Sequence, residues 1–356
     1  LPITSLRRPD PIVESDGTAS RKADHLRINV ERDVRGKGVD AGFDEFVFLH
    51  CALPEIDLAD VDLSVTHLGR RLRAPFLISS MTGGTPEARR INLALAQVAE
   101  DFGLAMGLGS ARALLEHPES LDSFDVRAHA PNALLLANLG AVQLNKGYGV
   151  DECRRVVDAL RADALVLHLN PLHEAVQPRG DTNFGGLLAR IGEVCSKLGV
   201  PVIVKEVGWG IAPDVVRALI NAGVTGIDVA GAGGTSWSEV ERYRTTEPWR
   251  ARVASAFASW GIPTATCVTQ AREAAPNHLV IASGGITGGI DAAKAIALGA
   301  DLIGIAGPFL RAADAGFEAA AELAKELIEV LRIAMFALGL RTPLELRGTS
   351  RLIRRE

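Results

Sequence analysis

The sequence predicts an α/β protein, a (β/α)8 TIM barrel with an N-terminal cap segment, and three observations predict it. Eight short apolar, partly β-branched runs recur at 76–80, 104–108, 134–138, 164–169, 202–206, 226–230, 279–283 and 302–306. Ala- and Leu-rich amphipathic stretches separate them. The polar and glycine-rich motifs fall where the apolar runs end. Continuous apolar strands alternating with helices indicate a parallel sheet covered by helices. Eight such units favour a closed barrel, with an open doubly wound sheet as the alternative.

Residues 1–20 are rich in Pro, Asp, Ser and Thr without an apolar period, and are expected to form a mobile tail. Residues 21–74 precede the first barrel strand and are assigned to a cap packed on the barrel. No linker marks a second domain, so 21–356 is read as one domain. The stretch 87–101 carries Ile91, Leu95 and Val98 at helical spacing and ends near Gly103. Residues 290–298 follow a glycine pair and stop at Gly299. The segment 262–267 is strand-like but fits better as the approach to a helix, and 313–338 reads as one long helix.

A length of 356 residues suits one such barrel with extensions. The composition, 47% apolar and 23% charged, is that of a globular chain with a large core. A net charge of −5 with no basic stripe argues against nucleic acid, so an anionic ligand must be held by local groups. Cys51, Cys153, Cys195 and Cys267 are far apart and form no CxxC pair, which argues against a disulfide framework or zinc site and suits a reducing compartment. No apolar run reaches membrane-span length, and the N-terminus, with Arg7, Arg8 and Pro9, lacks an apolar signal core. A cytoplasmic protein is expected.

In such barrels the active site lies at the C-terminal ends of the strands. The first strand ends in Ser79-Ser80-Met81-Thr82-Gly83-Gly84 and the second in Gly109-Ser110-Ala111-Arg112. The third ends in Asn138, and the fourth in His168-Leu169-Asn170 followed by Pro171-Leu172-His173-Glu174. Lys205 stands in the fifth, and Gly231 to Trp237 follow the sixth. Gly284-Gly285 after the seventh and Ala306-Gly307 after the eighth suit a phosphate, because glycine lets backbone N–H groups approach an anion at a helix N-terminus. They could also serve only as tight turns. A lysine closing an apolar strand either pairs with a neighbouring carboxylate or places charge beside an electron-rich cofactor ring. The spacing His168-x-Asn170 puts two side chains on one face toward the barrel mouth, and His173-Glu174 adds a candidate proton donor and a candidate Mg²⁺ carboxylate. Arg21-Lys22, read alone, is better taken as solvated surface, although both could reach over the mouth to a diphosphate.

Together these motifs resemble the type 2, FMN-dependent isopentenyl-diphosphate isomerases. The resemblance runs from Arg21 to about Leu310 and rests on Arg21-Lys22-Ala23-Asp24-His25, His50-Cys51-Ala52-Leu53-Pro54-Glu55, Ser80-Met81-Thr82-Gly83-Gly84-Thr85, Val204-Lys205-Glu206-Val207-Gly208 and Gly231-Ala232-Gly233-Gly234-Thr235-Ser236-Trp237. It implies FMN contacts at Ser80, Met81, Thr82, Ser110, Asn138, Lys205 and Thr235. It further implies FMN contacts, mainly to the phosphate, at Gly284, Gly285, Ile286, Ala306 and Gly307. It implies a small prenyl diphosphate held by Arg21, Lys22, Ser110, Arg112 and His173, Mg²⁺ at Glu174, and catalysis by His173, His168 and Asn170. It also implies NADPH as reductant and a homo-oligomer, a tetramer or larger. The implied reaction protonates the C3=C4 alkene of isopentenyl diphosphate and removes a proton from C2, giving dimethylallyl diphosphate.

Two positions depart from the family. The pattern His-x-Asn-x-x-Gln-Glu has His173 at the glutamine that contacts substrate, and Thr287 stands where several relatives carry arginine. Histidine can itself carry a proton near neutral pH. Three outcomes are open: isomerisation with altered pH dependence, reduced activity, or another prenyl substrate. The alternatives are an acid–base reaction such as cyclisation on a longer prenyl diphosphate, and a flavin-binding protein without turnover. A 2-hydroxy-acid oxidase would want a histidine base and carboxylate-binding arginines, a set absent from this sequence.

Overall fold

A computed structural model describes residues 18–355, and the expected tail at 1–17 lies outside them. Eight parallel strands close into a barrel in chain order: β1 Phe76–Ile78, β2 Ala105–Gly107, β3 Leu134–Gly140, β4 Ala164–His168, β5 Val202–Lys205, β6 Gly226–Asp228, β7 Leu279–Ser283 and β8 Leu302–Ile305. Pairing of Ile303 in β8 with Phe76 in β1 closes the ring and removes the doubly wound alternative, which would leave two open edges. Most ladders stop a residue or two before the apolar run does, because the backbone turns outward where the polar motifs begin.

The helices follow from local chemistry. Pro86–Phe102 starts behind Thr85, whose hydroxyl accepts from the Ala88 amide at 3.1 Å, and stops at Gly103 in the left-handed region. It buries Ile91, Leu95 and Val98 against the barrel. The segment 262–267 leads into helix Thr264–Ala274, as expected. The long helix expected at 313–338 is a correction: two helices, Gly307–Ala315 and Phe317–Phe336, meet at Gly316. Its φ of +134° suits glycine and turns the chain, although the apolar period runs on through the joint.

The expected tail also ends too late, since helix Thr18–Glu31 already includes residues 18–20. Beyond that helix the chain crosses the mouth of the barrel. Arg35 forms an antiparallel bridge with Thr235, and the Ser236 amide donates to the Val34 carbonyl at 2.8 Å. Ile28, Val34 and Val240 make a small core with Trp237 and Tyr243 that fixes this cap. At the other end the hairpin Val65–His67 and Arg70–Leu72 closes the barrel with Val65, Leu68 and Leu72.

The interior of the barrel is layered by the period of two along each strand. Leu77, Ala105, Leu136, Val166, Ile203, Ile281 and Leu302 form an apolar lower layer. Two residues on, the same strands carry Ser79, Gly107, Asn138, His168, Lys205, Ser283 and Gly304, and β6 contributes Asp228. Apolar below and polar above, this arrangement makes the mouth, not the base, the place for chemistry.

Candidate active site

Above the polar layer a cavity of ≈ 670 Å³ opens toward the cap, within the range of ligand pockets. Its floor is hydrogen-bonded between neighbouring strands. The Asn138 amide oxygen accepts from His168 Nδ1 at 2.8 Å, which leaves His168 Nε2 as an acceptor. Burial, reinforced by the charge of Lys205, pushes the His168 pKa down to about 3, so the ring is neutral. Ser283 Oγ donates to Asp228 Oδ1 at 2.5 Å, and Lys205 Nζ lies 3.7 Å from Asp228 Oδ2 while donating to the Glu206 carbonyl at 2.8 Å. Ser79 Oγ and Asn170 Oδ1 are buried on this wall without a partner among the described residues. Unpaired buried polar atoms are costly, so they ask for a polar ligand.

The loop after β4 carries helix Pro171–Val176, and its histidine turns toward helix Trp237–Arg244. His173 Nε2 donates to Glu241 Oε1 at 3.1 Å, and His25 Nε2 from the cap meets the same oxygen at 2.9 Å. Arg244 Nε donates to Glu241 Oε2 at 2.8 Å. The His173 ring stacks on Trp237 with centroids 4.7 Å apart, and His25 meets Trp237 edge-on at 5.1 Å. Burial works to raise the Glu241 carboxyl, but the hydrogen bonds and charges of His173 and His25 outweigh it and hold it far below the usual carboxylate range. Burial likewise pushes His25 down, against the pull of Glu241. His173 Nδ1 has no partner among the described residues, and His173 lines the cavity.

A third wall is cationic. Lys22 Nζ donates to the Ser110 carbonyl at 3.2 Å, and burial together with the neighbouring charge of Arg21 pushes its pKa down to about 8. Arg112 is braced by Glu116 at 2.6 Å and Asp181 at 3.1 Å. The surface reading of Arg21-Lys22 is therefore overturned: both are partly buried and line the cavity. A fourth wall is bare backbone. Gly284 has φ +101°, and a Cβ there would stand 2.1 Å from the Gly231 carbonyl oxygen. A Cβ on Gly234 would stand 2.5 Å from the Gly285 nitrogen. Only glycine permits this approach, and helix Gly307–Ala315 points its N-terminus into the same space.

Every residue the sequence nominated lines this one cavity: Arg21, Lys22, Ser80, Met81, Thr82, Ser110, Arg112, Asn138, His168, Asn170, His173, Glu174, Lys205, Thr235, Gly284, Gly285, Ile286, Ala306 and Gly307. The four polar groups around β4 share the cavity but not their partners. His168 turns to Asn138, His173 to Glu241, and Asn170 Nδ2 donates to Glu174 at 2.7 Å. Sequence reasoning missed Glu241, Arg244 and the unpartnered Ser79. The i,i+3 pair with Arg244 looks like an ordinary helix-surface ion pair, and the histidine contacts that bury Glu241 come from residues 68 and 216 positions away.

The residues suit a flavin nucleotide: a buried polar floor with a cation at Lys205, unpaired polar atoms, and a glycine cradle that a side chain would fill. For a divalent cation, Glu174 offers a carboxylate at the cavity wall, whose oxygens accept from Asn170 and from the Asp181 amide at 2.6 Å. Mg²⁺ typically takes one or two carboxylates plus substrate phosphate, which fits that position. Among the described residues, the donors close enough to share an ion are His25, His173 and Glu241, within 4.8 Å of one another. Two imidazoles do not suit a hard cation, and Arg244 already meets that carboxylate, so this group is a hydrogen-bonded cluster rather than the Mg²⁺ position.

Comparison with known proteins agrees with this geometry. The FMN-dependent dehydrogenase family matches residues 171–354. An isopentenyl-diphosphate delta-isomerase of a Nostoc species is 53% identical over 331 residues, covering 93% of this chain and 95% of its own length. The protein of that name from Rickettsia bellii is 52% identical, covering 90% and 94%. Mandelate oxidase bound to 3,3-difluoro-2-hydroxy-3-phenylpropionic acid superposes with a TM-score of 0.63 at 20% identity, covering 95% and 96% of the two chains. That last likeness is one of fold.

Proposed function

The chain belongs to the isopentenyl-diphosphate delta-isomerase family, within the FMN-dependent dehydrogenase fold, and we propose that it interconverts isopentenyl and dimethylallyl diphosphate by proton addition and removal beside FMN. One observation carries the reading: two anion-binding walls of different kinds, the Arg21–Lys22–Arg112 cations and the Gly284–Gly285–Gly307 backbone, border a single cavity. Two phosphorylated ligands, a flavin nucleotide and a prenyl diphosphate, account for both.

FMN, kept reduced by NADPH, would supply an electron-rich ring for acid–base exchange with the alkene. Ser80, Met81, Thr82, Asn138, Lys205 and Thr235 would hold its ring and chain, and the glycine wall its phosphate. Arg21, Lys22, Ser110 and Arg112 would hold the substrate diphosphate, with Mg²⁺ joining it to Glu174. The proton goes to C4 of the alkene, positive charge develops at C3, and a proton leaves C2. Trp237 also lines the cavity, and an indole ring near the alkene would favour a developing cation. His173 is anchored through Nε2 to Glu241, and its unpartnered Nδ1 is the atom available to exchange a proton with the cavity. His168 and Asn170 position the floor on which the substrate rests. The cap, bridged to the barrel at Arg35 and Thr235, would help to shield this space from solvent.

Among the described residues no helix is long and apolar enough to cross a membrane, and the exposed Trp249 and Trp260 would suit a contact within a homo-oligomer. The test is incubation with FMN, NADPH, Mg²⁺ and isopentenyl diphosphate in deuterated water. Dimethylallyl diphosphate carrying deuterium is expected. No product from flavin-loaded, reduced protein would overturn the assignment and turn attention to longer prenyl diphosphates.

A further inference from the structure

We propose that Arg311 clamps the terminal phosphate of the flavin nucleotide and sets the preference of this chain for FMN over riboflavin. The inference rests on the flavin reading above and assigns a role to a residue no motif nominated.

The glycine wall supplies N–H groups but no charge of its own. The loop from Gly284 to Thr287 carries no cation, and Thr287 itself is exposed on the cavity rim. A phosphate there has two negative charges to balance. Most other cations on the cavity wall are committed elsewhere. Lys22 stands with Arg21 at the Ser110 loop, Lys205 is held by Glu206 and Asp228, and Arg112 and Arg35 are paired with carboxylates.

Arg311 lies one turn into helix Gly307–Ala315 and lines the same cavity. Its Nη1 folds back to within 3.2 Å of the point where a Cβ on Gly307 would stand. The guanidinium therefore hangs over the N-terminus of its own helix. By itself that placement is electrostatically unfavourable, because the N-terminal end of a helix carries partial positive charge. Arg311 forms no hydrogen bond or ion pair with any described residue that would offset this. An anion between the helix end and the guanidinium removes the conflict, since both then face a negative charge. A Cβ on Gly307 would crowd the guanidinium in that position. The bidentate fork of arginine matches two phosphate oxygens.

The test is fluorescence titration of flavin-free protein with FMN and with riboflavin, which lacks the phosphate. Wild type is expected to bind FMN far more tightly than riboflavin. Arg311→Gln should weaken FMN by about ten- to a hundredfold, the scale of a charge-assisted hydrogen-bonded pair, and leave riboflavin unchanged. Thr287→Arg added to Arg311→Gln should restore much of the FMN affinity by returning a cation to the rim. Unchanged FMN affinity in Arg311→Gln would overturn the proposal, as would equal losses for both flavins, which would mark a packing role. Wild type that binds both flavins equally would remove the phosphate clamp and leave the flavin site standing. Wild type that binds neither would remove both.

Discussion

Glu241 ties the orientation of His173 to the stability of the fold through one buried carboxylate, so replacing it by glutamine separates several consequences. The side chain is 2% exposed and takes hydrogen bonds from His25, His173 and Arg244. Glu241→Gln leaves the Arg244 guanidinium, itself 7% exposed, without its counter-charge. Breaking a buried pair in this way costs about 3–5 kcal/mol. The amide can accept from Arg244 with its oxygen, but its NH₂ then faces His25 and His173 Nε2, forcing those atoms to accept and moving the proton to Nδ1. His173 Nδ1 then changes from acceptor to donor. We expect a fall in kcat of at least about a hundredfold, the scale of general acid–base catalysis, beyond the loss of stability. The pH dependence has a definite sign. A carboxyl held below its ordinary value of 4.5 contributes stability that is present above that pH and lost as pH falls. The gap in stability between wild type and variant should be flat above about pH 5 and shrink below it. Urea melts across pH, nitrogen-15 spectra of the imidazoles and steady-state isomerisation read the three effects. With His173→Gln as background, Glu241→Gln should lose most of its effect on kcat while keeping its effect on stability. A variant that melts like wild type and turns over within about twofold of it would refute this reasoning.

Three further outcomes follow from the same geometry. Gly284→Ala should abolish tight FMN binding and cost at least about 1–3 kcal/mol in a urea melt, because φ +101° strains the backbone and the new Cβ meets the Gly231 carbonyl at 2.1 Å; wild-type affinity would show that the loop yields. Affinity for the prenyl diphosphate, read as KM, should weaken as pH rises through about 8, where Lys22 loses its proton; Lys22→Arg should remove that limb, and an unchanged profile would place the diphosphate elsewhere. The unfolded chain takes up a proton on His168 near pH 6.5 that the folded chain resists until about 3, so stability should fall as pH drops between those values. Urea midpoints of His168→Gln should fall less over that range, and equal slopes would contradict the burial argument.

What the sequence disclosed follows from which forces are local. The eight strands were legible because burial on both faces leaves continuous apolar runs, and closure followed from their number. The cavity floor was legible for a related reason: a polar residue two places beyond an apolar interior position, as His168 follows Val166 and Lys205 follows Ile203, must rise into the mouth. The break at Gly316 was not legible, since one glycine in an Ala-rich run is compatible with an unbroken helix until packing chooses otherwise. Arg21 and Lys22 read as surface because their burial depends on the cap crossing the mouth, a contact made far away in sequence at Thr235. Glu241 was hidden most completely. It sits in a charged helical stretch that looks solvated, yet His25, His173 and Arg244 converge on it from the cap, the β4 loop and its own helix. The departure at His173 gains its meaning there: a histidine at that position finds a buried carboxylate already in contact with His25 and Arg244, which fixes its ring and leaves one nitrogen for the cavity. The substitution was visible in the sequence, but the buried partner that orients its ring exists only in the fold.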